Sequence, residues 1–141
     1  MHTRSALVAT ALLTAAIVAG NTAPAGADTT TCPGTYACVW KDASYRTSGN
    51  SLGYLKWARF ISRFSAYRYN GTTDTVHDDA SSAKNNGTSQ DVYFFKDEYC
   101  RGAMFALSRG ANDGDFNNGT PAGGFNDTLD SGAFGSFRSA C

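Results

Sequence analysis

The chain has 141 residues, with 12 Lys+Arg against 12 Asp+Glu and a formal net charge of +0. That length suits one domain, and the even balance of charge gives no electrostatic footprint for nucleic acid. Aromatic residues are plentiful, 2 Trp, 7 Tyr and 9 Phe, alongside 15 glycines and 4 cysteines.

Residues 1–27 read as an export signal. His2 and Arg4 make a short positive start, residues 6–20 are almost wholly apolar, and Ala25-Gly26-Ala27 supplies the small-x-small pattern for cleavage. The apolar run is shorter than the roughly 20 residues that span a bilayer, and nothing later in the chain is apolar enough to span one. The start has no Arg-Arg pair, which favours a general secretory route. The expected mature chain is residues 28–141, a single domain with 11 Lys+Arg once Arg4 is removed. All the aromatic residues lie in it, against eight Val, Ile and Leu. Its core is therefore built mainly from rings, and its glycines suit short strands joined by tight turns rather than a helix bundle.

Taken in order, strand signals appear at residues 37–41, 91–96, 103–107 and 133–138. Asn-Gly and Gly-Asn pairs at Gly49-Asn50, Asn70-Gly71, Asn86-Gly87 and Asn118-Gly119 punctuate the chain with turns. Residues 55–69 carry two readings. Lys56, Arg59 and Arg63, with Trp57, Ile61 and Phe64, fall at helical spacing, while Phe64, Ala66 and Arg68 alternate as a strand would. Residues 108–124 are rich in Gly and Asn.

The even cysteine count in an exported chain implies disulfides, and four cysteines allow three pairings. The expected set is Cys32 with Cys38, which closes a tight loop over Pro33-Gly34-Thr35, and Cys100 with Cys141. A zinc site is the rival, but there is no CxxC pair and His77, the one histidine of residues 28–141, is distant from every cysteine. With a single histidine and oxidised cysteines, Ser-His-Asp and Cys-His catalysis are poorly served, so the chain is expected not to be an enzyme.

Two segments echo each other. Cys38-Val39-Trp40-Lys41-Asp42 with Tyr45 matches Phe94-Phe95-Lys96-Asp97 with Tyr99. Each is followed by an acidic turn, His77-Asp78-Asp79-Ala80-Ser81-Ser82 and then Asn126-Asp127-Thr128-Leu129-Asp130-Ser131. The repeated order predicts a duplicated unit of about 50 residues.

These aromatic-x-Asp and acidic-serine turns resemble the Greek-key units of βγ-crystallins. Cys32-Pro33-Gly34-Thr35-Tyr36-Ala37-Cys38-Val39-Trp40, and Asp78-Asp79-Ala80-Ser81-Ser82-Ala83-Lys84-Asn85-Asn86-Gly87, resemble secreted bacterial peptidase inhibitors of the Streptomyces metalloproteinase-inhibitor type. The resemblance implies an all-β, βγ-crystallin-like Greek-key sandwich of two duplicated units and about eight strands. It further implies a secreted, monomeric inhibitor of an extracellular metalloprotease or serine protease, docking a rigid loop and needing no cofactor. Residues 45–54, 69–76 and 108–124 are the candidate loops, and no pattern marks the reactive residue.

The resemblance also names calcium as the candidate ligand, held by Asp78 and Ser81 in the first turn and Asp127 and Asp130 in the second, with carbonyls near Lys41 and Lys96. Two departures weigh on this. His77 stands where Asn or Asp is usual, and Asp130 where Ser or Thr is usual. A calcium-binding module without inhibitory action is thus the first alternative. A secreted antimicrobial or toxin protein is the second, resting on the basic residues 56–68 with Trp57, Phe60 and Phe64.

Overall fold

The computed structural model describes residues 32–141, so the expected export signal at residues 1–27 lies outside the described residues. Eight strands form two antiparallel sheets. They are β1 (Ala37–Trp40), β2 (Tyr54–Trp57), β3 (Phe60–Ile61), β4 (Ser82–Asn85), β5 (Val92–Asp97), β6 (Arg101–Leu107), β7 (Asn112–Asp113) and β8 (Ser131–Phe134). One sheet runs β2-β1-β4-β7 and the other β3-β8-β5-β6. Read from its own second strand, each half builds the same order, and each lends its third strand to the other's sheet. The duplication seen in the sequence is a duplication of structure, closed by exchange.

Alternation explains how β1 can be wholly buried. Ala37 and Val39 face the main core between the sheets, while Cys38 and Trp40 face a smaller outer cluster with Cys32 and Tyr45. The main core is a train of rings. Phe94 stacks on Phe105 at 4.8 Å and 12°, Trp57 meets Phe94 edge-on at 5.7 Å, and Phe105 meets Phe116 at 5.3 Å and Phe125 at 5.0 Å. Offset and edge contacts of this kind add about 1 kcal/mol each beyond buried area. Trp57 fits because position 132 is glycine: a Cβ there would stand 2.5 Å from its Cζ2.

One serine per half folds the strand-connecting turn back onto the sheet. Ser82 accepts from the Tyr45 amide at 3.2 Å and donates to the Asp42 carbonyl at 2.7 Å. Ser131 does the same with the Cys100 amide at 3.0 Å and the Asp97 carbonyl at 2.6 Å. Both serines are fully buried, where an unpaired amide or carbonyl would be costly.

Cys32 pairs with Cys38 and Cys100 with Cys141, at Cα separations of 5.9 and 5.6 Å. Two segments differ from expectation. Residues 55–69 form neither a helix nor a paired hairpin: β2 and β3 go to different sheets, and a single 3-10 turn, Phe64–Ala66, follows. Burial decides this, because Trp57, Ile61 and Phe64 must all enter the core from a chain that crosses between layers. The expected strand at residues 133–138 stops at Phe134. The Gly135 amide bonds the Asp91 carbonyl, the Ser136 amide bonds Gln90 Oε1, and Gly135–Ala140 coils as a 3-10 helix that brings Cys141 to Cys100.

Candidate functional site

The two acidic turns precede β4 and β8 and interlock about the pseudo-two-fold axis. The Asp78 amide donates to the Leu129 carbonyl at 3.3 Å, and the Asp127 amide to the Ala80 carbonyl at 3.1 Å. Asp78 and Asp127 take φ of 49° and 51°, the left-handed region that Asp tolerates better than most residues. The Ser81 amide reaches the Trp40 carbonyl and the Asp130 amide the Phe95 carbonyl, at 3.0 and 2.9 Å.

This interlock regroups the four expected ligands. They do not gather turn by turn. Ser81 donates to Asp127 Oδ1 at 3.1 Å across the axis, while Asp78 and Asp130 gather on the other side around His77. His77, which the sequence marked only as a departure from pattern, is the residue that separates the two sides. Its Nδ1 hydrogen-bonds the Asp130 carboxylate and its Nε2 lies 3.6 Å from Asp78 Oδ2.

The hydrogen bond to Asp130 raises the His77 pKa, against a smaller opposing effect of burial. Burial lifts Asp130 above the usual carboxylate range and His77 partly offsets it. A raised histidine pKa means that its contribution to stability is fully present below about pH 6.5, the unfolded value, and is lost as pH rises through the folded one. The imidazole is 47% exposed, so the effect is limited to about 0.5 kcal/mol. Between pH 6 and 8.5 the wild type should therefore lose about 2 °C of melting temperature more than His77→Asn. Parallel melting curves for the two proteins would disprove this.

On the Ser81 side, Lys41 Nζ is shared between Asp74 at 3.1 Å and Asp79 at 3.4 Å. Tyr69 is 1% exposed and its hydroxyl has no hydrogen-bond partner. Burial first, then the Asp79 and Asp127 charges, push its pKa far above the usual phenol value. The two sides therefore differ in their fit to calcium, which takes six to eight hard oxygens. Ser81 brings a hydroxyl against the Asp127 carboxylate, and the buried, unpartnered Tyr69 hydroxyl lies within the field of Asp127 and of the Lys41-paired Asp79. Around Asp130 an imidazole already occupies the carboxylate, and that side fits calcium poorly.

The candidate loops are tied down to different degrees. Residues 69–76 are bridged by Arg68 with Thr75 and by the Tyr69 amide to the Asp74 carbonyl at 3.2 Å. Residues 108–124 are no plain connector: they contain β7, and Phe116 and Ala122 are fully buried. Asp113, itself buried, accepts from the Asp115 and Ala122 amides. Residues 45–54 wrap Thr47, which is fully buried. Between β2 and residues 67–70 lies a cleft of about 340 Å³, lined by Tyr54, Leu55, Lys56, Tyr67, Arg68 and Asn70. The antimicrobial reading loses two of its three apolar residues here, since Trp57 and Phe64 are 4% and 0% exposed, while Phe60 is half-buried in β3. No helix of the described residues is long and apolar enough to cross one.

Residues 25–107 match peptidase inhibitor family I36. Two solved structures share the fold. One, described under the evolution of the eye lens βγ-crystallin domain fold, aligns with a TM-score of 0.56 at 18% identity, covering 72% of this chain and 87% of that one. A βγ-crystallin from Ciona intestinalis aligns with a TM-score of 0.52 at 18% identity, covering 70% of this chain and 98% of the other. No curated protein sequence matches the chain.

Proposed function

Because the chain belongs to peptidase inhibitor family I36, we propose that it is an extracellular, monomeric inhibitor that blocks a protease by docking a rigid surface loop into the active-site cleft. It is not an enzyme: its family is one of inhibitors, its cysteines are all oxidised, and His77 pairs with two aspartates rather than with a nucleophile. The observation that carries the reading is the family match over residues 25–107. The scaffold supports it, because two disulfides and the serine-locked turns hold the surface loops in place before any partner arrives. Preorganisation of this kind lowers the entropy lost on binding, and a standard inhibitor contact buries roughly 1,600 Å². Secretion fits the disulfides, which persist in oxidising surroundings.

The experiment is a titration of a thermolysin-like metalloprotease and a subtilisin-like serine protease with the purified protein. Stoichiometric loss of peptidase activity at micromolar concentration or below supports inhibition. Full activity of both enzymes at that concentration rejects it.

A second reading, calcium binding, is favoured by the buried Tyr69 hydroxyl, which has no hydrogen-bond partner and feels the Asp79 and Asp127 charges. Extracellular modules bind calcium with Kd of about 1 mM or below. About 10 mM calcium would then stabilise the fold by roughly 1.4 kcal/mol, a rise of several degrees in Tm. Asp127→Ala should abolish that rise while His77→Asn leaves it intact. A wild-type melt that ignores calcium would remove this reading.

A further inference from the structure

Leu52 is 54% exposed, the most exposed large apolar side chain among the described residues. A lone exposed leucine is ordinary. Its backbone is not. The Leu52 amide donates to Asn50 Oδ1 at 2.9 Å. Its carbonyl accepts from Asn70 Nδ2 at 3.2 Å and from the Tyr54 amide at 3.0 Å. The preceding carbonyl, Ser51, accepts from the indole of fully buried Trp40 at 2.8 Å. The following carbonyl, Gly53, accepts from the hydroxyl of fully buried Thr47, whose Oγ1 in turn accepts from the Lys41 amide at 3.1 Å. Position 53 must be glycine, since a Cβ there would stand 2.8 Å from Thr47 Cβ.

Three consecutive carbonyls are therefore gripped from behind by donors anchored in the fold, while the apolar side chain between them is presented to solvent. A protruding side chain on a backbone that cannot retreat is what an inhibitor needs at the residue that enters a specificity pocket. Nothing in the fold uses Leu52 itself: it belongs to neither hydrophobic cluster.

The neighbouring surface continues the same face. Asn70, which grips the Leu52 carbonyl, lines the cleft between β2 and residues 67–70, together with Tyr54 and Tyr67. Tyr67 is 45% exposed there. The cleft beside Leu52, walled by Tyr54 and Tyr67 with Arg68 at its rim, has the residue types enriched at interface centres.

We propose that Leu52 is the anchor that fills the primary apolar specificity pocket of the target protease, with the Tyr54–Tyr67 cleft receiving the adjoining rim of the enzyme. This rests on the inhibitor reading and names the residue through which it works.

The test compares inhibition constants against whichever of the two proteases above the wild type blocks. Leu52→Asp should weaken inhibition on the order of 100-fold and Leu52→Ala on the order of 10-fold. Both should keep the wild-type melting temperature, because the side chain is exposed. Met104→Asp, which changes another exposed apolar residue on β6 of the opposite sheet, should leave the inhibition constant within about 3-fold. If the wild type inhibits but Leu52→Asp inhibits equally well, the anchor is elsewhere and the inhibitor reading stands. If the wild type inhibits neither protease, both fall together.

Discussion

Replacing Cys100 and Cys141 together by serine should lower the stability of the folded chain by about 4 kcal/mol, read from urea unfolding as a lower midpoint with a somewhat steeper slope, because the unfolded chain expands once the link is gone. The bond closes a loop with a sequence separation of 41, against 6 for Cys32 with Cys38. In the chain-entropy account the longer loop removes more freedom from the unfolded state. The same relation gives about 2 kcal/mol for the shorter one. The native structure adds a second reason. The C-terminal 3-10 helix Gly135–Ala140 covers the outer face of β5, where Arg138 lies over the Tyr93 ring at 4.3 Å and Phe95 at 5.7 Å. Cys141 is its tether. A double-serine variant within about 1 kcal/mol of wild type would show that packing of this turn, not the covalent link, holds the C-terminus.

Phe94→Ala should cost about 3–5 kcal/mol, measured in the same way. Phe94 is fully buried and joins the ring train at its middle, stacked on Phe105 and edge-on to Trp57. The surrounding rings are rigid and belong to four different strands and loops, so the cavity has little chance to collapse. Phe105→Ala should show the same order of loss, and the double variant should lose less than the two singles combined, since each removes the stacking contact. A loss under 1 kcal/mol for Phe94→Ala would mean that the core repacks freely, which a ring-built interior with few branched aliphatics is not expected to do.

The contrast between what was readable and what was not follows from range. β1, β5 and β6 showed in the sequence because apolar runs bounded by turns are local signals. The duplication showed because both copies of its aromatic and acidic turns survive in order. β3 and β7 did not show. Each is two residues long, and each is a strand only because the other half of the molecule offers it an edge. Residues 55–69 stayed ambiguous for the same reason: Trp57, Ile61 and Phe64 fit a helical face as well as a crossing between sheets. The acidic turns were legible as a pair of candidate ligand turns. Their regrouping across the axis was not, because it depends on the reciprocal amide bonds of Asp78 and Asp127. His77 was visible as an irregularity, and only its approach to Asp130 gave that irregularity a meaning. Leu52 carried no signal at all: Asn50 and Tyr54 hold its backbone locally, but the side chains that fix the carbonyls at 51, 52 and 53, Trp40, Asn70 and Thr47, come from elsewhere in the chain.

The swap of third strands between the halves has a consequence for how such a chain can be shortened or divided. Neither repeat owns a complete sheet, so a chain ending with β4 would offer β3 to a partner that does not exist and leave the flank of β4 bare of β7. A single repeat could satisfy itself only by finding a second copy and trading strands with it. The doubled chain is thus a handshake made permanent by a peptide linker, and its smallest viable length is two units, never one.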